Sequence, residues 1–230
     1  MENAIINFQN KEKKHKRWQE TGNQRNENQT TPHLTSPVND QSQNFDDALL
    51  DALNAFNRDD YETAYKLFLP LAEQGDMFAQ HFLALLHLEE GVNQDYKEAV
   101  RLYRLAADQG YAFAQFHLGF MYAEGHGVPQ DYEAAEKWSR LSAEQGDASA
   151  QFILGLMYEE GLGVPQDCKE AVKWYRLSAE QGDADGQCGL GEMYYGGEGV
   201  PHDYAEAIRL WKLAAEQGDE EAQYNLDNYA

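Results

Sequence analysis

Metalloproteases, nucleotide-binding loops, serine hydrolases and thiol redox sites each need reactive side chains at a set spacing: HExxH, a glycine-rich loop ending in lysine, GxSxG and CxxC respectively. None of these occurs in the chain. The seven histidines include no pair at i, i+4, the spacing that puts two ring nitrogens on one helix face. His81 and His87, six apart, take places held elsewhere by aromatic residues. Cys168 stands where comparable stretches have Tyr132 or Tyr204, and Cys188 where they have Phe116 or Phe152, so both read as core-sized fillers. Gly186 to Gly199, GQCGLGEMYYGGEG, is glycine-dense, but its context is a helix of a repeated unit rather than a phosphate loop. The pairs Glu89/Glu90 and Glu159/Glu160 fall at helix C-termini, where the macrodipole costs a carboxylate a few tenths to about 1 kcal/mol. They read as surface charge or as contacts for a basic partner. No catalytic residue, metal site or cofactor is expected.

What must position any functional side chain is a repeated unit. Tyr111 to Gly146 is written again, with substitutions, over Asp147 to Gly182 and Asp183 to Gly218. Gly110, Gly146, Gly182 and Gly218 recur every 36 residues, and Gly75 precedes Gly110 by 35. A fixed period of this size means supersecondary units too small to bury their own apolar faces, which therefore stack. The spacing gives units over about 45–75, 76–110, 111–146, 147–182 and 183–218, with a capping helix over 219–230 and a tail over 1–44.

Each closing glycine follows the last turn of a second helix, where a left-handed residue is needed. Asp76, Asp147, Asp183 and Asp219 come next and can cap the following helix, a pattern Tyr111 breaks once. Between the helices, GHGVPQD, GLGVPQD and GEGVPHD supply flexible glycines, a proline that cannot continue a helix, and an N-cap aspartate. Asp95, Asp167 and Asp203 have Glu98, Glu170 and Glu206 three residues on, the capping-box arrangement.

Inside the first helices, Ala79, Ala114 and Ala150 recur at the close approach of two helices, followed by Leu83, Leu118 and Leu154 and by Met121 and Met157 on the same face. Gly186 takes the alanine position in the fourth unit, where alanine would be the better helix former. Trp138, Trp174 and Trp211 read as core. Advancing 100° per residue, the face opposite the alanines carries Phe78, His81, Leu85 and Leu88, then Phe113, Phe116, Phe120 and Ala123. The next units give Ser149, Phe152, Leu156 and Glu159, then Asp185, Cys188, Glu192 and Tyr195. The face is apolar early and acidic late, and apolar residues aimed outward mark an interface. The candidate partner-binding residues are Phe78, His81, Leu85, Phe113, Phe116, Phe120, Phe152, Leu156, Glu159, Glu192 and Tyr195. The Phe116 and Phe152 position is equally compatible with packing between neighbouring first helices.

The pattern A-x3-LG-xMY-x2-G-x-GV-P-xD-x3-A-x6-(S/A)A-EQG, complete in Ala114 to Gly146 and nearly so in the next two units, resembles the Sel1-like repeat, a relative of the tetratricopeptide repeat. The resemblance covers about Asp76 to Gly218. It implies an all-α fold, an α/α solenoid of helix-turn-helix repeats forming a right-handed superhelix, whose concave face is lined by first helices and holds partner proteins. Its alternative implication is a hydrolase or β-lactam-binding protein of the bacterial Sel1-like kind. Those relatives carry a cysteine pair in each repeat, whereas this chain has two cysteines in all.

With 40 Asp and Glu against 18 Lys and Arg, the formal charge of −22 argues against nucleic acid and anionic lipid as partners. A protein or peptide partner and a monomeric state are expected. The tail, rich in Asn, Gln, Ser and Thr, reads as disordered, with a basic cluster from Lys11 to Arg17 followed by Trp18. No apolar run is long enough to span a membrane and no leader pattern opens the chain, so the expected location is cytoplasmic.

Overall fold

A computed structural model describes residues 40–88 and 94–229, with side chains from 47 onward. The expected disorder of the tail up to 39, its basic cluster with Trp18, and the Glu89/Glu90 pair lie outside the described residues. Within them the chain is helical or turn throughout, without strands. The described residues up to 67 and those from 68 onward form two compact units, the division falling inside the second helix.

In the first unit, α1 (Asp40–Phe56) begins five residues before the helical start read from the sequence. It turns through Asp59, at φ 58°, into α2 (Tyr61–Glu73). The Asp60 carboxylate accepts from Thr63 N–H at 3.2 Å, and Ala52, Ala55 and Ala64 have no exposed surface.

The second unit holds four helix pairs and a last helix: α3 (Met77–Leu86) with α4 (Tyr96–Asp108), α5 (Ala112–Glu124) with α6 (Tyr132–Glu144), α7 (Ala148–Glu160) with α8 (Cys168–Glu180), α9 (Ala184–Gly196) with α10 (Tyr204–Glu216), and α11 (Glu220–Tyr229). Each packs against the next in the chain, and α9 also packs against α7, first helix on first helix. The alanine and methionine stripe is the core: Ala114, Ala150, Leu118, Leu154, Met121 and Met157 are buried. Trp138 and Trp211 are core as expected, while Trp174 is only half-buried, with the Arg140 guanidinium over its ring at 6.0 Å.

The capping chemistry follows the sequence with one correction. Asp76, Asp147, Asp183 and Asp219 accept from the backbone N–H three residues on at 2.7–2.9 Å, and Tyr111 makes no such bond. Asp95, Asp167 and Asp203 cap the second helices in the same way. Their capping-box glutamates, however, reach forward rather than back. Glu98 and Glu206 pair with Arg101 and Arg209, and Glu170 with Lys173, because a cation one turn on offers more than a neutral N–H.

Three recurring contacts lock one repeat to the next. A buried glutamine follows each small first-helix residue, and Gln80, Gln115 and Gln151 donate Nε2 to Ala72 O, Ala107 O and Ala143 O of the preceding second helix, at 3.1–3.2 Å. The Oε1 of the buried glutamine accepts from the glutamine that ends its repeat, Gln109, Gln145, Gln181 or Gln217, at 2.7–3.0 Å. On the second helices, Arg104, Arg140 and Arg176 donate to Tyr122, Tyr158 and Tyr194 of the following first helix and lie over those rings. The third contact is steric. Gly163, at φ 71°, sits so close to the preceding repeat that a Cβ would lie 2.2 Å from Tyr132 O, and Gly127 and Gly199 meet Tyr96 O and Cys168 O in the same way. The loop glycines expected to be flexible are therefore points of close approach.

Gly186 corrects the sequence reading too. A Cβ there would fall 2.6 Å from Ser178 Cβ and 2.9 Å from Ala179 N, so alanine, although favoured by helix propensity, would require the contact between α8 and α9 to open.

Gly146→Ala, where φ is 95° and space is open, should cost only the left-handed penalty of about 1–2 kcal/mol. Gly163→Ala should cost more, since strain and overlap add; equal melting temperatures for the two variants would contradict the close approach. Gln151→Met removes the bonds to Ala143 O and from the Gln181 amide and should lose about 0.5–1.5 kcal/mol in urea unfolding, since Ala143 O keeps the Gly146 N–H at 3.0 Å and the Gln181 amide can turn to water; a neutral result would remove the relay from the stabilising interactions.

Candidate functional site

The outward positions of the first helices divide by burial. Phe78 is 38% exposed, and Leu85, Phe113, Phe120, Glu159, Glu192 and Tyr195 are half-buried. His81, Phe116, Phe152 and Leu156, expected to face a partner, are at most 7% exposed. This is a correction with a simple cause: a helix flanked by two neighbours in a stack buries a wider arc than a lone surface helix.

His81 shows the consequence. Its ring lies 5.1–5.6 Å from those of Phe82, Tyr103, Tyr111 and His117, and burial lowers its pKa to about 3. It stays neutral at ordinary pH, and its Nδ1 has no hydrogen-bond partner among the described residues. At the surface of this aromatic group, Phe78 packs edge-on against Tyr111 at 5.1 Å and Phe113 against Tyr111 at 5.6 Å. The residue that breaks the capping pattern thus joins the first-helix aromatics of two repeats. Burial, with Asp147 and Asp76 nearby, pushes the Tyr111 hydroxyl up to about 12, so it remains a donor.

Glu159 and Glu192 are tied inward. Tyr175, wholly buried in α8, donates its hydroxyl to Glu159, and Asn225 of α11 donates to Glu192 at 3.2 Å. At the far end Tyr195 packs on Trp211, Tyr204 and Tyr229 at 5.2–5.4 Å, and His202 stacks on Tyr204 at 5.8 Å. Tyr204 and Tyr229 are exposed members of this cluster that sequence reasoning missed. Tyr204 lies directly after an N-cap aspartate, and Tyr229 in a degenerate last helix, so neither falls in the 100° pattern used to choose candidates.

The structure also gathers Cys188, Glu192 and Glu221, where no metal ligands were expected. Among the described residues no helix is long and apolar enough to cross a membrane, and both cysteines are free.

The Sel1 repeat profile matches residues 57–76, 78–111, 112–147, 148–183 and 184–219, in phase with the helix pairs. The chain belongs to the Sel1 repeat family. Among solved structures it is similar to a protective antigen of uropathogenic Escherichia coli, with 37% identity and a TM-score of 0.74 over 81% of this chain and 41% of the other. The chain thus spans less than half the length of that antigen. A Sel1 repeat protein from Oxalobacter formigenes is 35% identical, with a TM-score of 0.74 over 80% of this chain and 74% of the other. A third, from Klebsiella pneumoniae, is 21% identical with a TM-score of 0.55 and supports the fold alone. No curated protein matches the chain. Sel1 repeat proteins are commonly protein-interaction scaffolds.

Asp147, capping α7, supplies a pH test. Its pKa is raised from 3.8 to about 6, first by burial and then by Asp183 in the next repeat. A carboxyl raised in the folded state holds its proton more tightly there than in the unfolded chain, so its contribution is complete below about 3.8 and is lost as pH rises through about 6. Melting temperature should therefore fall through this group between about pH 3.8 and about pH 6. Asp147→Asn keeps the cap acceptor and should flatten that fall; parallel profiles for the two proteins would refute the assignment.

Proposed function

We propose that this Sel1 repeat protein is a non-enzymatic scaffold that binds a segment of a partner protein along its first-helix face. The observation that carries this reading is the Phe78–Tyr111–Phe113 group, in which an exposed and a half-buried phenylalanine are held by a tyrosine standing where the other repeats have a capping aspartate. Preset aromatic side chains anchor partners at little entropic cost. Leu85 and Phe120 extend the apolar surface, and Tyr195 ends it. Glu159 and Glu192 orient a basic segment rather than hold it, since each already accepts an internal hydrogen bond. His81, Phe116, Phe152 and Leu156 lie beneath and give the face its shape. A protein with two free cysteines and no disulfide suits the reducing cytosol, where we place its activity.

The test is crosslinking and affinity capture from cells with the wild-type chain and with Phe78→Ala, Phe113→Ala and Phe120→Ala. Each variant should cost well under the roughly 3–5 kcal/mol of a buried phenylalanine truncation, yet lose the same captured partner. Retention of that partner by folded variants would move the binding face to the second helices or the GxGVPxD loops.

A further inference from the structure

Along the array the outward positions of the first helices turn from apolar to acidic. The trio formed by two first-helix residues and one from the following helix is His81, Leu85 and Phe113 in one repeat, and Phe116, Phe120 and Ser149 in the next. At the end of the array the same three positions are Cys188, Glu192 and Glu221, a thiol and two carboxylates. Cys188 and Glu192 lie one turn apart on α9, and Glu221 is in the first turn of α11. One donor atom from each lies within 4.8 Å of the other two. The thiol end is built into the core: Cys188 is 2% exposed and clusters with Trp211, Ala214 and Ala222. Asn225, buried in α11, donates to Glu192 Oε1 at 3.2 Å, the kind of outer contact that fixes a ligating carboxylate.

A thiol and two carboxylates thus meet where the earlier repeats place aromatic, aliphatic and hydroxyl side chains, and three groups able to ligate a cation share one place. A sulfur with two oxygens suits a borderline cation such as zinc, which accepts both donor types and leaves a fourth position for water. Calcium and magnesium, which take oxygen donors, do not explain the thiol. Donors at about 2.0–2.3 Å on a tetrahedral zinc are about 3.3–3.6 Å apart, so binding requires a closure of about 1 Å, within reach of side-chain rotation. We infer that Cys188, Glu192 and Glu221 form a site for one zinc-class divalent cation that ties α11 to α9.

The purified full chain, reduced and freed of chelator, is titrated with cobalt(II). A thiolate-to-cobalt charge-transfer band should saturate at one ion per chain and vanish on adding zinc. Cys188→Ser should abolish it, Glu192→Gln and Glu221→Gln should each weaken cobalt binding by about tenfold or more, and Cys168→Ser should leave it unchanged. Zinc should raise the melting temperature of the wild type and not that of Glu221→Gln. Circular dichroism checks the fold of each variant; if Cys188→Ser does not fold, the wild-type band and Glu221→Gln decide. Absence of the band in the wild type, its survival in folded Cys188→Ser, or wild-type affinity in both glutamine variants would overturn the site.

Discussion

The glutamine relay is the constraint on which the stack depends. In three successive repeats four groups meet: a carbonyl of the preceding second helix, the amide of a first-helix glutamine, its oxygen, and the amide of the glutamine that closes the repeat. The first-helix glutamines and the carbonyls they reach are buried, while the closing glutamines stand at the surface, so the inner half of the relay is the costly part to break. Sliding one repeat against the next by a single residue would break several of these bonds together. Hydrophobic contact alone is more forgiving, since an apolar face tolerates small shifts as long as volume is kept. The relay fixes register, and the alanine and methionine stripe supplies the attraction.

The arginine–tyrosine pairs and the loop glycines act with it. One is attractive, with guanidinium on phenol, and the other is a fit that admits no Cβ. None of the three uses the outward positions of the first helices. The exposed and half-buried ones among them differ between repeats, from Phe78 and Phe113 at one end to Glu192 and Glu221 at the other, whereas His81, Phe116, Phe152 and Leu156 are buried and belong to the packing.

Much of this was legible in the sequence because it is local. Helix boundaries fall within a few residues of those set by the glycines and prolines, and the aspartate caps form as their spacing indicates. Gly186 was misread because propensity describes an isolated helix, whereas Ser178 lies against this one. The capping-box glutamates were misread because arginine or lysine three residues on competes for them. His81 and Phe152 were placed outward because a helical wheel has no knowledge of neighbours on both sides. Gln115 and Gln151 could have been found: a polar residue recurring every 36 positions beside a buried alanine is a signal that the search for apolar stripes passed over. The meeting of Glu221 with Cys188 could not, since it depends on where the last helix lands.

The arginine–tyrosine pair runs one way, from a second helix to the first helix that follows it. Each repeat therefore presents a donor at one side and an acceptor at the other, like links that join in a single direction. Excision of Asp147 to Gly182 would bring Asp183 after Gly146, set Arg140 the same distance along the chain from Tyr194 as it now is from Tyr158, and set Gly199 where Gly163 meets Tyr132. Every cross-repeat contact has an equivalent after the cut. The array can thus lengthen or shorten by whole units through duplication and loss in the gene, while a cut of any other size would mismatch all three contacts at once.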